Sequence, residues 1–362
     1  MVIVKQQIDN LIRSNIQKSA HEANKITPEV IKEAASILKP GKGDIGGEYQ
    51  SDVLKNGPDL LYIHLAAVFR SFVVHGTLPQ PIIACAFLPL WKGGLKDKSK
   101  FDSYRAIANA SLILKLYEYV VLLLYGDLMG TDSMQFGFKK RSSCSMASWA
   151  VYEVANYFYQ RGGMAHACFL DLSKAFDKVL YDKLFTKLLD RNIPAIIARV
   201  LVYAYEEQQA WVRLASRNSD PFPIKNGTRQ GSVLSPSLFG IYSNELLQKL
   251  RKTGVGCHVA GVWMAAIMYA DDLVLLCPDR VTLQKLVKVC EEYGAEHNLV
   301  FSTDPNPAKS KTKCLLFRGK RRVPQPGPVL LDGEPLPCTV IIWVHRYWIT
   351  TSCRQLSVTF HH

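Results

Sequence analysis

The sequence lacks the features that mark several large classes of protein. No apolar run reaches the roughly 18 residues of a membrane span, and residues 1–10 hold no apolar leader core. Nine cysteines occur, at 85, 144, 168, 257, 277, 290, 314, 338 and 353, and none forms a CxxC pair. No zinc spacing is therefore present. The odd count, in a chain with no secretory leader, predicts reduced thiols and an intracellular protein, nuclear or cytoplasmic. Internal repeats are absent. The loop at 39–47 is rich in glycine but lacks P-loop spacing, so it is expected to be a linker with at most a phosphate contact. Acidic residues are few beside basic ones, 31 against 44, which leaves a net charge of +13. That excess predicts a polyanionic partner, nucleic acid by default.

What is there is globular. Apolar residues make up 48% of a 362-residue chain, enough for a sizeable core in two or three subdomains. Ile8, Leu11, Ile12, Ile16, Val30, Ile31 and Ile37 recur at helical spacing, and Thr27-Pro28 supplies a cap and a first-turn proline. A helix over 60–75 is expected to end at Gly76, with a strand over 82–90 running into Trp91-Lys92. Tyr104 opens a further apolar segment through Tyr119. Lys92 and Arg105, on neighbouring hairpin strands, suit the charge of a triphosphate. The stretch 135–143 interleaves Phe136 and Phe138 with Lys139, Lys140 and Arg141, a pattern suited to nucleic-acid contact, and a helix over 145–160 follows.

Three stretches carry the chemistry. In Met268-Tyr269-Ala270-Asp271-Asp272-Leu273 two adjacent carboxylates stand between apolar runs, as at the tip of a β-hairpin. In Phe169-Leu170-Asp171-Leu172-Ser173-Lys174-Ala175-Phe176-Asp177 an apolar strand delivers Asp171 to its end. Ser173 is expected to cap a helix whose Phe176, Leu180, Leu184 and Leu188 share one face. In Arg229-Gln230-Gly231-Ser232-Val233-Leu234-Ser235-Pro236 a turn at Gly231 leads into a helix opened by Ser235-Pro236. Isolated aspartates are usually turn residues. Three of them at two buried strand ends are instead what a pair of Mg²⁺ ions needs for in-line phosphoryl displacement.

Taken in order, these stretches resemble motifs A, B and C of reverse transcriptases, with the flavour of non-LTR (LINE-like) retrotransposons, over about residues 35–318. The resemblance implies an α/β (α+β) right-hand polymerase fold with palm and fingers and the thumb largely absent. It places an N-terminal helical extension at 1–40, fingers at 41–160, and a palm at 161–318 with an interleaved fingers segment at 183–225. It implies an RNA-directed DNA polymerase that adds dNTPs to a primer 3′-hydroxyl, with RNA template and DNA primer as partners. Two Mg²⁺ ions, or Mn²⁺ in their place, would be held by Asp171, Asp271, Asp272 and the Leu172 carbonyl. Phe176 matches a steric gate against the ribose 2′-hydroxyl, and Gln230 and Gly231 match contacts to nucleotide and template. Lys92 and Arg105 match triphosphate ligands. Lys311 matches a lysine that protonates pyrophosphate, with Lys309 and Lys313 as competitors.

The sequence departs from the family after Glu334. The linker-like tail 319–362, with prolines between 324 and 337, stops where a helical thumb is expected, which suggests a truncated element copy with its last residues out of register. A catalytically inactive, nucleic-acid-binding remnant of such a polymerase is the alternative. An RNA-dependent RNA polymerase shares the palm, but Phe176 argues against it. Neither a membrane nor a protein partner is expected.

Overall fold

The computed structural model describes residues 1–94, 97–215, 217–304, 306, 310–319 and 327–342. Lys309, Cys353 and most of the tail lie outside these. The architecture is mixed α/β, in two compact units.

The chain opens with α1 (Val2–Ser14), α2 (Ile16–Asn24) and α3 (Pro28–Ile37), as the apolar spacing predicts. The Thr27 hydroxyl accepts from the Val30 amide, with Pro28 in the first turn. After α4 (Ser51–Lys55), α5 (Asp59–His75) ends at Gly76, whose φ of 71° closes the helix in the left-handed region. The strand expected over 82–90 starts later. Pro79 and Pro81 favour one helical turn, α6 (Gln80–Ile83), before β1 (Cys85–Trp91). The segment expected as one apolar piece divides into β2 (Tyr104–Ala110) and α7 (Leu112–Tyr125), because the Ser111 hydroxyl caps the helix at the Leu114 amide.

Next come α8 (Cys144–Gln160) and β3 (Ala165–Asp171). The helix expected from Ser173 is not formed there. The Ser173 amide donates to the Val300 carbonyl, and Lys174 takes a left-handed φ of 51°, which a first helical residue cannot adopt. Residues 175–178 make a 3₁₀ turn, and α9 (Tyr181–Asp190) buries Leu184 and Leu188 without Phe176. Then follow α10 (Ala195–Glu206), β4 (Gln209–Leu214), β5 (Arg217–Asn218), β6 (Phe222–Pro223) and α11 (Ser235–Lys252), which begins where Ser235-Pro236 predicts. The hairpins β7 (His258–Val259)–β8 (Val262–Trp263) and β9 (Ala266–Tyr269)–β10 (Asp272–Cys277) precede α12 (Arg280–Glu296), capped by Asp279. The described chain closes with β11 (Lys313–Arg318), β12 (Leu330–Leu331), β13 (Glu334–Pro335) and β14 (Cys338–Ile342).

The first unit is Met1–Gly130 with Phe176–Ile241. Its sheet runs β2-β1-β4-β5, with β6 also on β4. Beside it, α5 and α7 meet through Phe69 edge-on to Tyr117 at 5.3 Å.

The second unit is Thr131–Ala175 with Tyr242–His362, so 131–160 groups with the carboxylate-bearing strands and 226–241 does not. Its sheet runs β14-β11-β3-β10-β9. Its β11–β14 edge is parallel, and residues 338–342, within the tail expected to be linker-like, make that edge strand. Because side chains alternate, one face carries Ala165, Ala167, Val274 and Leu276 against Val151, Val154 and Ala155 of α8. On the other, Cys168 lies opposite Cys314 and close to Cys290 of α12. All cysteines among the described residues are free thiols, and most are buried as small apolar side chains.

Candidate active site

The register of β10 on β3 sets Asp272 directly across from Asp171. Both belong to the face that packs on α8, one step beyond Phe169 and Val274, where the apolar pattern stops. Backbone bonds pin the end of β3. The Asp171 amide donates to Thr312 Oγ1 (3.2 Å), and its carbonyl accepts from the Ser302 amide (2.7 Å). Leu172 is bridged to Phe301, and its own carbonyl takes no part in the two bonds that flank the bridge. Asp271 sits in the two-residue turn between β9 and β10, after Ala270 at a left-handed φ of 58°. That value is rare for a residue with a Cβ.

Lys311 Nζ lies 3.2 and 3.1 Å from the two Asp171 oxygens. Lys313 starts β11 across from Phe169. Burial, and then the charges of Asp271 and Asp171, push the Asp272 carboxyl up to about 7 against the opposing pull of Lys311. The Cys144 thiol, at the start of α8, is raised by burial and also by the Asp272 charge. Among the described residues, no three acidic, imidazole or thiol groups are gathered closely enough to hold a metal ion as they stand. In donor chemistry the cluster nonetheless fits a hard divalent cation. Its donors are all oxygens, and their mutual repulsion is what such an ion relieves.

A pH dependence follows. Asp272 gives up its proton near 7 rather than near 3.8, so below 7 a cation must displace a proton from it. Mn²⁺ affinity, read from the EPR signal of the unbound ion, is expected to fall about tenfold per pH unit below 7 and to level off above 8. A flat profile from pH 5 to 8 would contradict this. The sign for folding is the reverse: the raised carboxyl favours the fold at low pH, and that contribution is lost as pH rises through 7.

The expected nucleotide-binding residues all fall in the first unit. Arg105 pairs with Leu90, and the Lys92 amide continues the ladder to the Ser103 carbonyl, so Lys92 and Arg105 are diagonal neighbours on one face of the hairpin. Lys92 Nζ donates to the Asp102 carbonyl (2.7 Å), and Arg105 is exposed. Phe176 stacks on Phe239, ring centroids 4.6 Å apart. The Gln230 carbonyl accepts from the Ala108 amide (2.7 Å). At Gly231, with φ 109°, a Cβ would lie 2.8 Å from the Ala108 carbonyl oxygen, so the backbone of β2 explains the glycine.

Two residues escaped the sequence reading. Glu118, 2% exposed, accepts from the Ser232 hydroxyl (2.6 Å) and from the Val233 and Leu234 amides (2.8 and 3.4 Å), just ahead of α11. Its signal was there: a lone acid inside the apolar run 112–125. The other is Gln135, in the stretch expected to be a nucleic-acid loop. Phe136 packs on the core, and Lys139 turns inward to the Thr131 and Asp132 carbonyls. Only Phe138, Lys140 and Arg141 are exposed among the interleaved residues.

The chain is similar in sequence to known proteins. Residues 95–330 match the family described as reverse transcriptase (RNA-dependent DNA polymerase). The chain is 26% identical over 287 residues to the RNA-directed DNA polymerase from mobile element jockey of Drosophila funebris, covering 76% of this chain and 31% of that protein. It is 28% identical over 316 residues to the probable RNA-directed DNA polymerase from transposon BS of Drosophila melanogaster, covering 85% and 34%. A putative 115 kDa protein in the type-1 retrotransposable element R1DM of the same fly is 26% identical over 332 residues, covering 90% and 29%. The chain thus spans about a third of the length of these curated relatives.

Proposed function

Since the chain belongs to the reverse transcriptase (RNA-dependent DNA polymerase) family, we propose that it adds dNTPs to a primer 3′-hydroxyl on an RNA template, as part of a non-LTR retrotransposon protein. The observation that carries this reading is the placement of Asp171 across from Asp272, with Asp271 adjoining, at the end of two buried strands. These three carboxylates, with the Leu172 carbonyl, would hold two Mg²⁺ ions. Such ions, when bound, supply the positive charge that activates the attacking hydroxyl and steadies the leaving oxygen.

The residues of the chain do the rest. On this reading the sheet of the second unit is the palm, and the β1–β2 hairpin belongs to the fingers. Lys92 and Arg105, on one face of that hairpin, grip the triphosphate by charge. Lys311, beside Asp171, gives a proton to the departing pyrophosphate and regains one from water. Gln230 and Gly231 contact nucleotide and template. No helix among the described residues is long and apolar enough to cross a membrane.

Phe176 excludes the ribose 2′-hydroxyl, its ring steadied by Phe239. Phe176→Val is expected to reduce the preference for dTTP over UTP, in kcat/KM, by about 100-fold. An unchanged ratio in a folded variant would remove the gate assignment. The reading as a whole is tested by Mg²⁺-dependent release of one pyrophosphate per dNTP joined to a primed RNA template. A folded protein that binds the duplex but releases none would overturn it.

A further inference from the structure

We infer that Gln135 is a positioning residue for the Asp271–Asp272 pair, an inference that rests on the function proposed above. Its side-chain amide reads both backbone groups of Ala270, the residue just before the pair. Oε1 accepts from the Ala270 amide (2.9 Å) and the Gly137 amide (2.8 Å), and Nε2 donates to the Ala270 carbonyl (3.2 Å). The amide orientation follows from those partners, since two N–H groups face one end and a carbonyl faces the other. Gln135 is 2% exposed, so no water competes for these bonds.

The clamp acts on a turn that needs one. Ala270, at φ 58°, holds a conformation costly for a residue with a Cβ, and such a conformation persists only where its surroundings over-determine it. The clamping segment is itself anchored. Gln135 bridges Met268 in parallel, the Phe136 amide donates to the Met268 carbonyl (2.7 Å), and the Met268 amide donates to the Met134 carbonyl (2.8 Å). Upstream, Asp132 Oδ1 accepts from Arg251 Nη2 (2.7 Å), and the Asp132 amide donates to Asn244 Oδ1 (2.6 Å). Gly137 lets the segment come close: a Cβ there would lie 2.2 Å from the Ala270 nitrogen. Of the side chains of this length, only glutamine offers a donor and an acceptor together. Glutamate would set an oxygen against the Ala270 carbonyl and add charge beside two aspartates.

The test compares the full chain with Gln135→Leu, reading Mn²⁺ affinity by EPR, duplex affinity by fluorescence anisotropy, and primer extension. Expected for Gln135→Leu is Mn²⁺ binding at least 10-fold weaker, with unchanged duplex affinity, and a kcat loss of 10-fold or more at a dNTP KM within threefold of wild type. A merely structural role would not move metal affinity in a folded protein that still binds duplex. If Gln135→Leu fails to fold, Ala270→Gly in the same chain relieves the strained turn. That double variant is expected to fold and still bind Mn²⁺ at least 10-fold more weakly than Ala270→Gly alone. Wild-type Mn²⁺ affinity in Gln135→Leu, or in the double variant relative to Ala270→Gly, overturns the inference while leaving the polymerase reading intact. A wild-type chain that binds Mn²⁺ but extends no primer overturns the polymerase reading, while the Mn²⁺ comparison still decides the role of Gln135. A chain that does neither overturns both.

Discussion

Asp272→Asn is expected to cut primer extension by about 10³-fold, the rate equivalent of losing several kcal/mol of transition-state charge stabilisation. The same change is expected to raise the melting temperature of the metal-free protein at pH 8. The two effects have one cause. Asp272 is half-buried beside Asp271 and Asp171, and its carboxyl is pushed up to about 7, so at pH 8 it carries a charge that the fold disfavours. Asparagine keeps the shape and removes the charge. The gain in stability is expected to shrink at pH 5, where the native carboxyl is protonated and only the unfolded one is charged, and to vanish below the ordinary value of 3.8. Thermal melts of both proteins at pH 5 and 8 check the sign. A variant with near wild-type extension, or one less stable at pH 8 than at pH 5 relative to wild type, would refute this account of the cluster.

Glu118→Ala is expected to destabilise the first unit strongly. Glu118 satisfies a hydroxyl and two backbone amides where α11 begins; Ser232 and Leu234 are buried, and the Val233 amide is partly so. Leaving them without an acceptor costs about 3 kcal/mol or more. In a unit of this size that is a drop of roughly 6–12 °C in melting temperature. Glu118→Gln keeps one acceptor oxygen and should lose about half as much. Urea unfolding of the three proteins measures both, and a loss below about 1 kcal/mol for Glu118→Ala would show that solvent replaces the carboxylate.

How much was legible depended on the range of the interactions involved. The Asp271–Asp272 hairpin and the strand that ends at Asp171 could be read because apolar runs flank each carboxylate closely in sequence. The cap at Thr27 likewise involves residues three apart. Ser173 misled for the opposite reason. Locally it is a good cap, but the end of β3 is tied to distant Val300 and the next residue, Lys174, takes a left-handed φ. The strand at 338–342, in a tail expected to be linker-like, forms by pairing with β11, which no local pattern announces. Gln135 was grouped with a nucleic-acid loop because its partner, Ala270, is far away in sequence. The need for glycine at 231 was likewise hidden, because the Ala108 carbonyl that a Cβ there would meet is far away in sequence. The carboxylates that the strands bring together were thus visible in sequence, and the residues that hold them in place were not.

The most direct test of the central claim is single-nucleotide extension of oligo(dT) on poly(rA) with dTTP and Mg²⁺, comparing the full chain with Asp271→Ala/Asp272→Ala. The account predicts extension by the wild-type chain that EDTA stops, and none by the double variant at equal duplex binding. Extension that survives in a folded double variant would contradict it, because the carboxylates opposite Asp171 would then not be where the chemistry occurs.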